Sequence, residues 1–454
     1  MQIERITCAG ELYRTPDDGC GIHMIMDESV KAAGELADAR PESVQLIYID
    51  PPFNTGQEFH FRQRVGESGY KGNRKNQITH VAYADRFPGG QEEYVRMMRG
   101  ALFAAHRLLD EKGGIYVHVD YRTSAHIRLL LDEVFGQNNF VNEIIWHYKS
   151  GGRATTHYSR KHDTIFLYKK GAKYRFNPMA AARPRGKERR NHMKRQTDEK
   201  GRVYFSIRSN GKIYRYYEDT PVFVSDVWDD IPHLQQRDPE RTQYDTQKPN
   251  ALLERIIGVS SEPGDVVADL FCGSGTTLEA AARMGRKAIG IDSSVHALNV
   301  CRKRLLHMNA SFRCTFGDMP VCTPVRLRIA AERDGEGGVT VHIREFGIRL
   351  PENGFVLDEC PQQQLSWMQP ESVIEECTFA EPGALENAGG IGALDYIALG
   401  FIKDGVFHAL DIHGRSAKTP ELRVFYHAAL PPNAQAAIHL VDVLGQNHFF
   451  RVTL

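Results

Sequence analysis

The sequence is short of the features that mark membrane-spanning, secreted and metal-bound chains. It has no run of about 18 apolar residues, the length a helix needs to cross a bilayer. The opening Met1-Gln2-Ile3-Glu4-Arg5 lacks the basic-then-apolar pattern of a secretory leader, which predicts a cytoplasmic protein without a membrane partner. Eight cysteines among 454 residues include no Cys-x-x-Cys pair. Free thiols are therefore expected, rather than a disulfide framework or a zinc site, and no metal is expected. Net charge is absent too: 57 Lys and Arg balance 57 Asp and Glu. No internal repeat is present.

The balance of charge hides a strong asymmetry. Lys149 to Arg215 holds 20 basic and 4 acidic residues, a net of +16, whereas Pro320 to Leu454 holds 10 basic and 17 acidic, a net of −7. Only the first segment has the electrostatic footprint of a polyanion partner.

Length allows more than one domain. The run Val44 to Ile49 reads as a buried strand ended by Asp50-Pro51-Pro52. A polar stretch from Asn54 to about Gly90 shows few periodic apolar positions. Helical spacing follows over Glu92–Leu109 and Ser124–Phe135, with strands at Ile115–Val119, Ile144–Trp146 and Thr164–Tyr168. This alternation predicts an α/β fold with a mostly parallel sheet covered on both faces. The regularity stops between about Arg175 and Tyr244, where Arg, Lys, Tyr and Phe interleave. It resumes with a helix from Pro249, a strand Val266–Leu270, a helix Thr276–Met284, a strand Lys287–Ile291 and a helix Val295–Met308. Beyond Pro320, short alternating runs such as Gly338–Ile343 and Ala436–Val441 predict a separate small β domain with its own core.

Two loops carry candidate chemistry. Asp269-Leu270-Phe271-Cys272-Gly273-Ser274-Gly275-Thr276-Thr277 joins a strand to a helix, and its glycines let the backbone turn tightly and approach a ligand. Asp292 ends the next strand, 23 residues on, where a carboxylate can accept from two ribose hydroxyls. The loop lacks the Gly-Lys-Ser/Thr of a phosphate-binding P-loop, so an adenosine without phosphates fits better than ATP. In the other loop, Asp50 and the Pro51 carbonyl form a rigid acceptor pair for an –NH₂ group, and Phe53 offers a face for an aromatic base.

Asp50-Pro51-Pro52-Phe53-Asn54-Thr55-Gly56, placed before Thr246-Gln247-Lys248-Pro249 and the Asp269–Thr277 run, resembles the permuted, β-class amino-methyltransferases of DNA. That group includes adenine-N6 enzymes and type III modification subunits. Asn142–Trp146, Lys161–Tyr168 and Asp226–Pro232 are similar to the family as well. The resemblance implies a Rossmann-like S-adenosylmethionine-dependent methyltransferase domain over residues 1–174 and 245–312. An inserted basic target-recognition region would occupy 175–244, and a C-terminal β-rich domain of unassigned role 320–454. It implies catalysis by Asp50, Pro51, Pro52 and Phe53. S-adenosylmethionine would be held by Asp269, Phe271, Gly273, Ser274, Gly275, Thr276, Asp292, Gln247, Lys248 and Pro249, with Lys248 meeting the methionine carboxylate. Where family members often have Gly-Tyr-Pro-Thr, this chain has Gln243-Tyr244-Asp245-Thr246, and it is short for a type III modification subunit.

Aspartate before Pro-Pro is typical of the adenine-N6 enzymes and serine of many cytosine-N4 enzymes, so adenine is the expected target and cytosine-N4 the alternative. The target base must rotate out of double-stranded DNA to reach such a pocket. Lys149, Arg153, Arg183, Arg185, Arg189, Arg190, Lys194 and Arg195 are the candidate DNA contacts. A different reading makes the chain a DNA-recognition subunit beside a restriction nuclease. The acidic tail is expected to avoid DNA and to serve a partner or a homodimer.

Overall fold

The computed structural model describes residues 1–14, 21–149, 154–184, 193–317, 324–334, 337–348, 375–381 and 391–454. Its spine is a 15-stranded mixed sheet. Six strands at the centre run parallel, in the spatial order Phe312–Phe316, Ile22–Met26, Lys287–Asp292, Val266–Asp269, Val44–Ile49 and Leu109–Val119. Alternate side chains of these strands feed two cores. Ile47, Ile49, Ile115 and Val117 pack with Leu36, Met98, Leu102, Ile127 and Leu131 from the helices Ser29–Ala39, Gly90–Leu108 and Ser124–Phe135. Leu46, Tyr48 and Val267 pack with Leu253, Ile256, Leu278, Leu298 and Leu305 from the helices Asn250–Ser260, Thr276–Arg283 and Val295–His307. Near-continuous apolar strands are what a sheet buried on both faces requires.

Local signals explain the helix ends. Glu28 accepts from Val30 N and Lys31 N and so caps the first helix. Gly90–Leu108 carries Glu92 and Glu93 in its first turn and His106 and Arg107 in its last, each facing the favourable end of the helix dipole.

Beyond Leu109–Val119 the sheet turns antiparallel, through His162–Lys169 and Phe140–His147. The polar stretch after Asn54 holds a hairpin, Glu58–Arg64 with Gln77–Ala84. It escaped the apolar pattern because it buries little: Phe61 and Ala82 pack on Tyr244, Ala297 and Val300 in a small cluster of their own. The basic segment is also not devoid of structure, since Lys194–Thr197, Val203–Ser209 and Lys212–Tyr217 form a three-stranded antiparallel sheet.

The C-terminal strands, expected as a separate domain, are hydrogen-bonded into the same sheet as the central ones. Gly10–Tyr13 pairs with Phe312–Phe316 on one side and with Val406–Gly414 on the other. The sheet then continues through Leu394–Lys403, Ala436–Asp442, Asn447–Thr453 and finally Gln2–Ile6. A four-stranded sheet (Arg326–Arg333, Gly338–Gly347, Glu375–Ala380 and Phe425–Ala429) shares a second core with these strands, where Ile329, Val341, Ile343 and Tyr426 meet Ile397, Leu399, Ile438 and Phe450. So the tail is β-rich, but its hydrogen bonding runs unbroken into the α/β sheet, and residues 2–6 belong with it. Ion pairs across the join are buried: Glu11 meets Arg302 at 2.9 Å and His439 at 3.2 Å, and Lys303 meets Asp395 at 2.6 Å. Burial would raise the Glu11 carboxyl, yet Arg302 and His439 hold it at about 2. Among the described residues no helix is long and apolar enough to cross a membrane.

Candidate active site

Three carboxylates mark the carboxyl ends of three neighbouring parallel strands. Asp292 and Asp269 are the last residues of theirs, and Asp50 directly follows Ile49. Ligands of such sheets gather at this end. Two cavities meet there. One, of about 260 Å³, is lined by Asp50, Pro52, Asp269, Phe271, Asp292 and Lys248, together with Gly273, Ser274, Thr276 and Gln247. The other, of about 730 Å³, is lined by Asp50, Pro51, Phe53, Trp146, Tyr148 and Asp163. Asp50, Tyr83, Thr246, Gln247 and Lys248 face both.

The smaller cavity is built by the glycine loop. Gly273 and Gly275 take φ of +48° and +77°, a left-handed region that other residues enter at a cost. A Cβ on Gly275 would also lie 2.4 Å from Cys301 Sγ. Asp292 accepts from Gly273 N and Ser294 N, both at 2.8 Å, and Asp269 accepts from Phe271 N at 3.1 Å and Thr277 Oγ1 at 2.5 Å. Burial raises both carboxyls, Asp269 to about 7. Arg304, ion-paired with Glu279, donates to Ser274 O and Thr276 Oγ1, while Thr276 Oγ1 donates to the Lys248 carbonyl at 3.2 Å. These bonds join the glycine loop to the Gln247-Lys248-Pro249 segment. Gln247 folds that segment back by accepting from Thr242 N and donating to Glu240 O, each at 2.8 Å. Pro249 caps the helix that follows, and neither it nor Gly275 lines the cavity.

Asp50 sits where the cavities join. Its Oδ2 is ion-paired with Lys248 Nζ, and its Oδ1 is buried without a hydrogen-bond partner. Lys248 Nζ also lies 5.4 Å from the centre of the Phe53 ring. The lysine thus meets the acid of the first motif and also lines the smaller cavity. An unpartnered buried carboxylate oxygen is costly unless a donor arrives, and Asp50 itself lines both cavities.

Asp85 holds this loop and carried no signal in the sequence reading. Wholly buried, it accepts from Phe53 N at 3.2 Å, Asn54 N at 2.8 Å, Thr55 N at 2.9 Å and Thr55 Oγ1 at 2.7 Å. The loop needs such a clamp because Asn54 adopts φ +55°. Behind Phe53, His118 bridges Tyr48 OH at 2.9 Å and Asp163 at 3.2 Å, and Asp163 accepts from Tyr148 OH at 3.1 Å. Tyr148 and Trp146 rings stand 5.1 Å apart and complete an aromatic wall.

The candidate DNA contacts are dispersed. Lys149, Lys194 and Arg195 are exposed, the last two on the three-stranded sheet, and Arg183 lies 3.4 Å from Asp230. Arg153, Arg185, Arg189 and Arg190 lie outside the described residues.

A family described as DNA methylase matches residues 44–303. The type II methyltransferase M.EcaI of Enterobacter cloacae is 28% identical over 339 residues, covering 63% of this chain and 68% of its own. The DNA adenine methyltransferase YhdJ of Escherichia coli K12 is 29% identical over 276 residues, covering 60% and 80%. Among solved structures, the PvuII DNA methyltransferase, titled cytosine-N4-specific, is 16% identical with a TM-score of 0.42, covering 66% of this chain and 88% of that one.

Proposed function

The chain belongs to the DNA methylase family, and on that premise we propose that it transfers a methyl group from S-adenosylmethionine to the N6 amine of an adenine rotated out of duplex DNA. The observation that carries the reading is Asp50, which lines both an acidic cavity and a larger aromatic one and has a buried Oδ1 without a hydrogen-bond partner. The residues suit the donor. Among the described lining residues, Asp50, Asp292 and Glu28 outnumber Lys248, the one lysine or arginine, which favours a cationic sulfonium and disfavours phosphates. Asp292 would hold the ribose hydroxyls, and the backbone at Gly273 lets the ligand approach closely. When bound, the donor supplies an electrophilic methyl whose S–C bond breaks as the N–C bond forms.

The remaining chemistry belongs to the chain. Phe53 stacks the target base, in a cavity that Trp146 and Tyr148 also line. Asp50 Oδ1 and the Pro51 carbonyl accept the two amine hydrogens, draw the nitrogen lone pair out of the ring, and stabilise the positive charge that develops on it. Lys248 fixes the Asp50 carboxylate in place through its Oδ2, and the carboxylate takes the proton that the methylated amine releases. Fixed geometry replaces a covalent intermediate.

Adenine is favoured over cytosine by the aspartate that heads the Pro-Pro-Phe loop and by the relative named a DNA adenine methyltransferase. Work beside a restriction subunit, or as a homodimer, remains compatible with this chemistry. Sequencing DNA from cells that express the protein, with detection of modified bases, tests the reading. N6-methyladenine in one sequence context supports it, and N4-methylcytosine alone overturns the choice of base.

A further inference from the structure

We propose that a basic cleft between the Glu58–Arg64 strand and the turn at residues 416–419 carries the phosphate backbone of the DNA strand that flanks the target base. The inference rests on the DNA methyltransferase reading and extends it to the C-terminal part of the chain. The cleft encloses about 470 Å³, and Arg62, Arg64, Arg241 and Lys418 line it from three segments far apart in sequence. None of these four has a carboxylate within ion-pair distance among the described residues. Arg64 lies over the Tyr70 ring at 5.6 Å.

Three other cations of the lining differ. Lys303 is paired with Asp395 at 2.6 Å, and Arg304 and Arg283 share Glu279. Glu240, the other carboxylate of the lining, accepts from Asn250 N at 2.6 Å. Those three cations are therefore matched by carboxylates, while Arg62, Arg64, Arg241 and Lys418 are not. Unmatched cations around one concave surface focus a positive potential and concentrate a polyanion.

Position selects the polyanion. Arg241 lines both this cleft and the larger cavity that holds Phe53 and Asp50. A strand whose base occupies that cavity can run its backbone past Arg241 into the cleft. Backbone contacts of this kind orient a duplex without reading its sequence. The acidic tail then has a net of −7 overall, yet it contributes Lys418 to the lining of this cleft.

The test uses the full chain with Arg62→Glu, Lys418→Glu and the neutral Arg62→Gln and Lys418→Gln, each assayed for donor binding and for duplex affinity across a salt series. Arg62 and Lys418 are exposed and touch no part of the donor cavity, so donor binding should persist. Each neutral variant should weaken binding roughly tenfold for every duplex alike and reduce the slope of log affinity against log salt by about 1, as expected for one lost phosphate contact. The charge reversals should do more. Unchanged slopes in variants that still bind donor, with a wild-type protein that methylates DNA, would overturn this inference and leave the proposed function standing. A wild-type protein that neither binds nor methylates DNA would overturn both.

Discussion

Replacing Asp85 tests whether the Asp50-Pro51-Pro52-Phe53 loop works because it is held. Four hydrogen bonds from residues 53–55 converge on this one carboxylate. Hydrogen bonds to a charged group contribute about 1.5–3 kcal/mol each, so a simple sum lies near 6–12 kcal/mol. The sum overstates the effect, because the four share one acceptor and are not additive. Phe53, Asn54 and Thr55 are also only half-buried, so water can replace part of what is lost. We take about 4 kcal/mol for Asp85→Ala, which corresponds to a loss of roughly a thousandfold in kcat. Asp85→Asn keeps one acceptor oxygen and should lose roughly tenfold to a hundredfold. Asp85 lines the larger cavity and not the donor cavity, so the donor Kd should hardly move. The assay is methyl-transfer kcat at saturating DNA beside calorimetric donor binding. An Asp85→Ala enzyme within about threefold of wild-type kcat, or one whose donor binding falls as far as its turnover, would refute the reasoning.

Three further outcomes follow from the same geometry. Gln243 sits at φ +69°, so Gln243→Gly should leave thermal stability equal or higher while Gln243→Val loses about 1–2 kcal/mol; equal melting temperatures for the two would contradict the strain. Asp269 has its folded-state carboxyl raised to about 7 by burial, so the folded state binds this proton more tightly than the unfolded chain. Its contribution is fully present below the ordinary aspartate range and is lost as pH rises through about 7, and denaturant melts should show that decline in wild type but not in Asp269→Asn. Removing residues from 320 onward should give an aggregating or unfolded product rather than a free methyltransferase core, because it strips partners from Glu11, Arg302 and Lys303 and bares the faces of Tyr13 and Phe312. A monomeric truncated protein that binds donor would show that the shared sheet is dispensable.

The acids of the site were legible because each stands where a buried apolar strand stops. Val44 to Ile49 before Asp50 and Val266 to Asp269 before the glycine loop are local patterns, and backbone sterics alone make them strand-to-loop junctions. Asp85 was not legible, since its partners are backbone N–H groups some thirty residues earlier and nothing in its own neighbourhood records them. The partner of Lys248 was hidden for the same reason: Asp50 lies 198 positions away. The continuity of the sheet escaped the sequence as well. Pairing of Gly10–Tyr13 with Val406–Gly414 joins the two ends of the chain, and an alternating strand looks alike whether it closes a separate domain or extends an existing sheet.

Transfer of a labelled methyl group tests the central claim most directly. Wild-type protein and Asp50→Ala are each incubated with duplex DNA and methyl-labelled S-adenosylmethionine, and the labelled nucleoside is identified after digestion. The account predicts N6-methyladenine from wild type and no labelled nucleoside from Asp50→Ala, with donor binding reduced far less than methyl transfer. Label on the cytosine amine, or undiminished labelling of adenine by Asp50→Ala, would contradict it.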